Sequence, residues 1–335
     1  MRKSTAWERL TKRTEFWIFI VLLVANVAIY FVSGGQLAEP NQIVSILRAM
    51  IVDGLLGMAC LIVIVAGGFD LSFPTVAAVS SCLATSICVQ YGLSASDPWA
   101  GILLSIVLGA VLGMLNGVLI AHFHLNTMLV TLSSATFFLG LALGIFKLKE
   151  ISATLPNGLR AFGQWSLFEV SSSAGIKSSM SGIFLIYVFI ALIVAFVLKK
   201  TMFGRALYSI GGSEIAAERA GYNVERIKFI LYSLVGAMSG FAGIIRVCLA
   251  QQAIPKALLN REFVIIPAVI LGGGSFFGGE GTVFGTVTSI ALITLVTNSM
   301  LLIGIDSYWQ KFFNGIVIII GITVSSLQAK KNGLK

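Results

Sequence analysis

The chain has 335 residues, 57% of them hydrophobic and 11% charged, with a mean hydropathy of +0.96. A water-soluble fold needs roughly a quarter of its residues charged, so the composition excludes a soluble globular enzyme and a disordered chain. A polytopic protein of the lipid bilayer remains, and its net charge of +9 reads as Lys and Arg in loops beside membrane spans. It does not read as a nucleic-acid surface, because no basic stripe with interleaved aromatics occurs.

Residues 1–15 are polar and carry Arg2, Lys3, Arg9, Lys12 and Arg13. The apolar run after them is long for a secretory signal and has no A-x-A site behind it, so it predicts an uncleaved first span. Continuous runs such as 16–32 and 182–198 fit helices, whose backbone groups are satisfied internally in lipid. Barrel strands alternate instead. The runs predict an all-α polytopic membrane protein of about ten spans, at 16–34, 48–67, 73–91, 100–121, 127–146, 181–198, 228–249, 260–275, 282–303 and 309–328. Five Lys and Arg residues lie in 1–15, six in 199–228 and three in 329–335, a bias that places both termini in the cytoplasm. The expected organisation is a cytoplasmic tail (1–15), one transmembrane domain (16–328) and a cytoplasmic tail (329–335). The loop 147–180 is then extracytoplasmic and the loop 199–228 cytoplasmic.

Two asparagines near span ends, Asn116 and Asn298, are 182 residues apart. The same offset superposes 100–121 on 282–303 and 127–146 on 309–328. A shift of five spans reverses orientation, so the expectation is an inverted five-helix repeat, a common device of transporters. Gly109, Gly113 and Gly117 lie on one face of the fourth span, and Gly236 and Gly240 do so in the seventh. Small residues at four-residue spacing let helix backbones approach, within one chain or between two.

Charges inside spans are few, and Asp53 and Arg246 are the best buried candidates. A charge in lipid is usually paired, which predicts that these face the bundle interior and each other. The run Gly67-Gly68-Phe69-Asp70-Leu71-Ser72-Phe73-Pro74 breaks two apolar stretches; Asp70 or Ser72 suits a helix cap and Pro74 a first turn. Its counterpart is Gly272 to Gly281, after an apolar run of nine residues, 263–271, that rises only about 14 Å. Short glycine-interrupted segments in both halves point toward a transport path. The candidate path residues are Asp70, Ser72, Asn116, Asn298, Gly272 and Gly273.

Catalytic motifs are missing from the sequence. No HExxH, GxSxG or P-loop occurs, and the glycine run 272–281 has no lysine to reach a phosphate. Cys60, Cys82, Cys88 and Cys248 form no CxxC and read as small buried residues. His122 and His124 point to different faces of a helix and suit the inner ends of spans. We expect no catalytic residue, metal or cofactor in this chain.

The most informative stretch is cytoplasmic, Thr201 to Val224. Ser213 suits an N-cap, Glu214 the positive end of a helix dipole, Arg219 a last turn and Gly221 the C′ position. The expectation is a two-turn helix over 213–220. Its alanines Ala216, Ala217 and Ala220 make a smooth surface for a partner protein's groove.

From about Ile43 to Val324 the chain resembles the membrane permease subunit of bacterial ABC importers of the ribose, xylose and arabinose type. Gly67-Gly68-Phe69-Asp70-Leu71-Ser72 resembles the family's G-G-I-D-L-S. Phe203-Gly204-Arg205 through Gly221 resembles F-G-R-x-x-Y-x-I-G-G-N-E-x-A-A-x-x-x-G. Val269 to Gly273 with Gly278-Gly279-Glu280-Gly281 resembles V-V-L-G-G-x-x-x-x-G-G-x-G. The resemblance implies a path formed by two permeases, the second being a copy or a paralogue. It also implies an ATP-binding protein that holds ATP and Mg and docks on a coupling helix, and an extracytoplasmic solute-binding protein that delivers the sugar. Ser213 to Ala220 is then the coupling helix, with Gly204, Arg205, Gly211, Gly212, Ser213, Glu214, Ala216, Ala217 and Gly221 as the coupling motif. The location implied is the bacterial inner membrane. The sequence departs from the family at Phe73-Pro74, Ser213 and Ile215.

Two other readings are open to the sequence. One is a stand-alone secondary transporter or channel for a small polar solute, against which the scarcity of buried carboxylates counts. The other is an intramembrane enzyme or scaffold, for which no catalytic pair exists.

Overall fold

The computed structural model describes residues 14–171 and 177–306, and positions 309, 310, 312, 315, 316 and 319. Helix α1 (Thr14–Val32) leads through a 3-10 turn (Gln36–Ala38) into α2 (Pro40–Val65), which starts on a proline, where the missing N–H is no loss. Helix α3 (Phe73–Tyr91) follows the first break. Next, α4 (Trp99–Gly117) runs on into a π-helical turn, Val118–His122. Asn126 caps α5 (Thr127–Gly144) by accepting from the Met128 and Leu129 N–H groups. The loop 147–180, expected to face outward, holds α6 (Asn157–Gln164) and strands β1 (Ser166–Ser171) and β2 (Lys177–Ser181). Then come α7 (Ile183–Lys200), α8 (Met202–Gly212), α9 (Glu214–Arg219), α10 (Val224–Ala250), α11 (Glu262–Leu271) and α12 (Val283–Leu302).

Seven of these helices, α2, α3, α4 with its π turn, α5, α7, α10 and α12, are long and apolar enough to cross a membrane. Their boundaries lie close to those expected from the apolar runs, except that α2 starts at Pro40, eight residues before the expected 48. The span expected at 309–328 and the two tails fall outside the described residues, isolated positions apart. One expectation is corrected. The outer loop contains an antiparallel hairpin, Phe168 opposite Met180 and Ser171 opposite Lys177, so the chain is mostly helical and not all-α. The serine-rich segments 166–171 and 177–181 favour it, because serine hydroxyls compete with helical backbone bonds.

Helix α2 is the central element. Residues 53–65 are buried on every face, as a helix enclosed by others must be. Helix α7, in contrast, exposes Leu185, Phe189, Leu192 and Phe196 along one side. That apolar stripe suits lipid and would be a liability in water.

Among the described helices, α4 and α10 share the most extensive contact. A Cβ on Gly109 would strike the Gly236 carbonyl, and one on Gly113 the Tyr232 carbonyl; added to Gly236 or Gly240, it would meet Gly109 or Ser105. The glycine faces read from the sequence therefore pack on each other inside one chain. Ser105 Oγ donates across the seam to the Gly240 carbonyl at 2.7 Å.

Gly113→Ala should lower stability by about 2 kcal/mol or more, the usual scale of overpacking. Gly140→Ala, on the side of α5 where nothing lies within 4 Å, should change it by less than about 0.5 kcal/mol. Thermal unfolding of the purified protein in detergent checks both.

Candidate translocation path and docking surface

The break between α2 and α3 is held by side chains, not by sheet or helix bonds. Gly67, at φ +77°, ends α2. The N–H groups of Phe69 and Leu71 then donate to Thr127 Oγ1 (3.2 Å) and Thr131 Oγ1 (3.0 Å) on α5. Asp70 is 5% exposed and accepts from both the Ser72 N–H and Ser72 Oγ at 2.6 Å. Asn116 Nδ2 donates to Ser72 Oγ at 2.8 Å. Capping of α3 thus falls to Asp70, while the Ser72 hydroxyl serves the network and makes no cap bond.

Three expected path residues, Asp70, Ser72 and Asn116, are therefore brought together. Asn116 Oδ1 is buried with no hydrogen-bond partner, so the cluster retains an acceptor. Asn298 stands apart; its Nδ2 bonds the Thr294 carbonyl of its own helix. Gly272 packs on α12, where a Cβ would meet the Gly285 carbonyl at 2.6 Å and Ser289 Oγ at 2.8 Å. Gly273, at φ +92°, begins the second break. Thr127 and Thr131 escaped the sequence reading. Their signal was a pair of hydroxyls four residues apart on an apolar helix.

The expected pairing of Asp53 with Arg246 is corrected. Asp53 Oδ2 lies 3.1 Å from Arg261 Nη2, and Arg246 instead reaches the Gln252 carbonyl at 3.5 Å. The reason is the shortness of α11. Its ten residues rise about 15 Å, so it starts deep in the bundle and brings Arg261 to the level of Asp53. Asp53 sits thirteen residues into α2, about 20 Å along it.

On the loop 199–228, Thr201 Oγ1 caps α8 by accepting from the Gly204 N–H at 3.1 Å. Gly204 is buried beneath the carbonyls of Val197 and Leu198, and Arg205 is exposed beside Met202. Ser213 Oγ caps α9 by accepting from the Ala216 N–H at 3.3 Å. Gly221, at φ +89°, closes it: the Tyr222 N–H donates to the Ala217 carbonyl and the Gly221 N–H to the Glu218 carbonyl. These are the paired bonds of a Schellman end.

Glu214 is bonded by Lys228 Nζ at 2.7 Å, which ties α9 to α10. Ala217 is fully buried against Ile210 and Val224, so it does not share an outer surface with Ala216 and Ala220. The exposed face is Ile215, Ala216, Glu218, Arg219 and Ala220. Gly212 has open space around it, whereas Gly211 is packed against Val65 and Gly279. His122 Nδ1 pairs with Glu225 Oε1 at 2.8 Å on the same face of the bundle. Among the described residues no cluster of His, Cys, Asp and Glu could hold a metal ion.

A double-mutant cycle on Asp53 and Arg261 should show a coupling of about 1 kcal/mol, given the partial exposure of the arginine. The same cycle on Asp53 and Arg246 should show close to none. Ala217→Arg should fail to fold stably, because it buries an unpaired charge.

Comparison with known proteins covers nearly all of this framework. Residues 42–322 match the family described as the branched-chain amino acid transport system permease component. The chain is 34% identical over 306 residues to the ribose import permease of Bacillus subtilis (strain 168), covering 91% of this chain and 89% of that one. It is 28% identical over 310 residues to the fructose import permease of Rhizobium meliloti (91% and 83%). It is 26% identical over 320 residues to the L-arabinose ABC transporter permease of Azospirillum brasilense (96% and 89%). No solved structure matches it significantly. A match that takes in α2 to α12, both breaks and the capped helix α9 shows that the chain is a multi-pass membrane protein of this permease-component family.

Proposed function

We propose that this chain forms the translocation path of an ATP-binding-cassette importer for a sugar or sugar-like solute. The observation that carries the reading is α9. It is a two-turn helix capped at both ends, anchored by Ala217 and the Glu214–Lys228 pair, and exposed along Ile215, Ala216, Glu218 and Ala220. Such a helix is held rigidly and presents its outer face to nothing among the described residues, which is what docking on a partner requires. The names of the relatives support the solute class, since three import ribose, fructose and L-arabinose.

In this reading the ATPase is a separate protein that docks on α9 and holds ATP and Mg; this chain catalyses nothing and holds no cofactor of its own. A second permease, identical or paralogous, completes the path. An extracytoplasmic binding protein meets the outer loop with its α6 and hairpin. The chain has ten spans, with the tenth over 309–328, an inverted five-helix repeat and both termini in the cytoplasm of a bacterial inner membrane. Asp70, Ser72 and Asn116 offer hydroxyl-matching polar groups at the inner break, where solute hydroxyls can exchange hydrogen bonds as they pass.

Mild-detergent purification from native membranes, with mass spectrometry of the companions, is the test. Recovery of an ATP-binding protein and a solute-binding protein is expected. Recovery of the intact chain alone, with gradient-driven uptake in vesicles lacking ATP, would establish the secondary-transport reading instead. Ala216→Arg, on the exposed face of α9, should lower ATPase recovery at least tenfold while leaving thermal stability unchanged.

A further inference from the structure

Glycines from three distant parts of the chain meet at one point. Gly67 closes α2, Gly211 closes α8, and Gly278-Gly279 lies in the second break, between α11 and α12. The backbones touch directly. A Cβ on Gly211 would overlap the Val65 carbonyl and the Gly279 N–H, and one on Gly278 would come within 2.6 Å of Gly67 Cα and 2.8 Å of the Gly211 carbonyl oxygen. The Gly279 N–H donates to the Val65 carbonyl at 3.0 Å. Tyr208 Oη donates to the Gly281 carbonyl at 2.6 Å, tying α8 to the second break. The rings of Phe69 and Phe276, one from each break, lie 4.5 Å apart.

Gly67, Gly278 and Gly279 all have positive φ, at +77°, +87° and +74°. Any other residue there would be strained as well as crowded. The point is one helical turn from the docking helix, because Gly211 is two residues before Ser213, the N-cap of α9.

We propose that this junction clamps the two membrane breaks and the α8–α9 pair into one body, so that Gly211 and Tyr208 are positioning residues that pass motion of α9 to both breaks at once. The inference rests on the importer reading, because it assumes that a partner moves α9. Its physical basis is stiffness. Contacts between backbones have no side-chain rotamer to absorb a displacement, and packed interiors transmit strain. A pull on α9 therefore reaches both breaks together.

The test uses the full chain with its ATPase and binding protein in proteoliposomes, measuring solute uptake and ATP hydrolysis side by side. Wild-type uptake that does not depend on ATP would refute the importer reading, whatever the variants do. Given ATP-driven uptake, Gly211→Ala should cut solute moved per ATP at least tenfold with hydrolysis within twofold of wild type. A merely structural residue would lower both together. Tyr208→Phe should lower the same ratio less.

A second variant keeps the idea exposed should Gly211→Ala not fold. Phe69→Cys with Phe276→Cys places a thiol on each break, while the chain's four own cysteines are buried. A short bis-methanethiosulfonate cross-linker should join the pair through reducible disulfides and leave more than half of the uptake. A wild-type ratio in Gly211→Ala, failure of the pair to cross-link, or uptake lost on cross-linking and regained on reduction would each overturn the proposal.

Discussion

The structure depends on how closely α4 and α10 approach. Lipid offers no hydrophobic drive for one helix to leave it for another, so packing and a few polar bonds must supply the association. At Gly109, Gly113, Gly236 and Gly240 each backbone occupies the space a side chain would fill on the other. An interhelical hydrogen bond in a membrane contributes about 0.6 kcal/mol on average. The single bond from Ser105 to the Gly240 carbonyl therefore cannot account for the seam. Dispersion along several turns of close contact does, and it acts only while those positions carry no Cβ. Helices α2 and α3 pack on α10, so the seam also fixes the frame in which the first break sits.

A chain that interrupts its helices inside a membrane leaves backbone groups without partners, and each one costs several kcal/mol in hydrocarbon. The fold answers this with short polar side chains from neighbouring helices. Thr127 and Thr131 take the N–H groups of Phe69 and Leu71, and Asp70 takes that of Ser72. The second break borrows the Val65 carbonyl for Gly279 and the Tyr208 hydroxyl for the Gly281 carbonyl. The polar groups make irregular backbone tolerable, and at the first break they gather hydroxyl, amide and carboxylate groups into one buried network.

Most of the helices were legible from residue types, because continuous apolar runs with polar breaks permit little else in lipid. Helix α9 was legible to within a residue at each end, since Ser213 and Gly221 mark its ends by local chemistry. What escaped was non-local. Nothing in the periodicity around Arg246 tells that its guanidinium turns to Gln252 while Arg261 reaches Asp53. That choice depends on how deep α11 starts. Ala217 was read as surface because helix spacing groups it with Ala216 and Ala220; only the packing of α9 on Ile210 and Val224 turns it inward. The hairpin in the outer loop escaped because serine-rich segments carry no clear period of two.

The Asp53–Arg261 pair has a consequence for the depth of α11. Removing one member of a buried pair costs several kcal/mol, because the other is left unpaired in a poor solvent. Partial exposure of Arg261, at 43%, lowers that figure but does not remove it. The pair therefore acts as a pin on the start of a ten-residue helix that is too short to be fixed by spanning. Position the start, and the other end of α11 delivers Gly272 to α12 and the second break to Gly67 and Gly211. A contact near the middle of α2 thus sets the register of a glycine junction about 18 Å further along the same helix. That is the reach expected of a rigid helix between two fixed points.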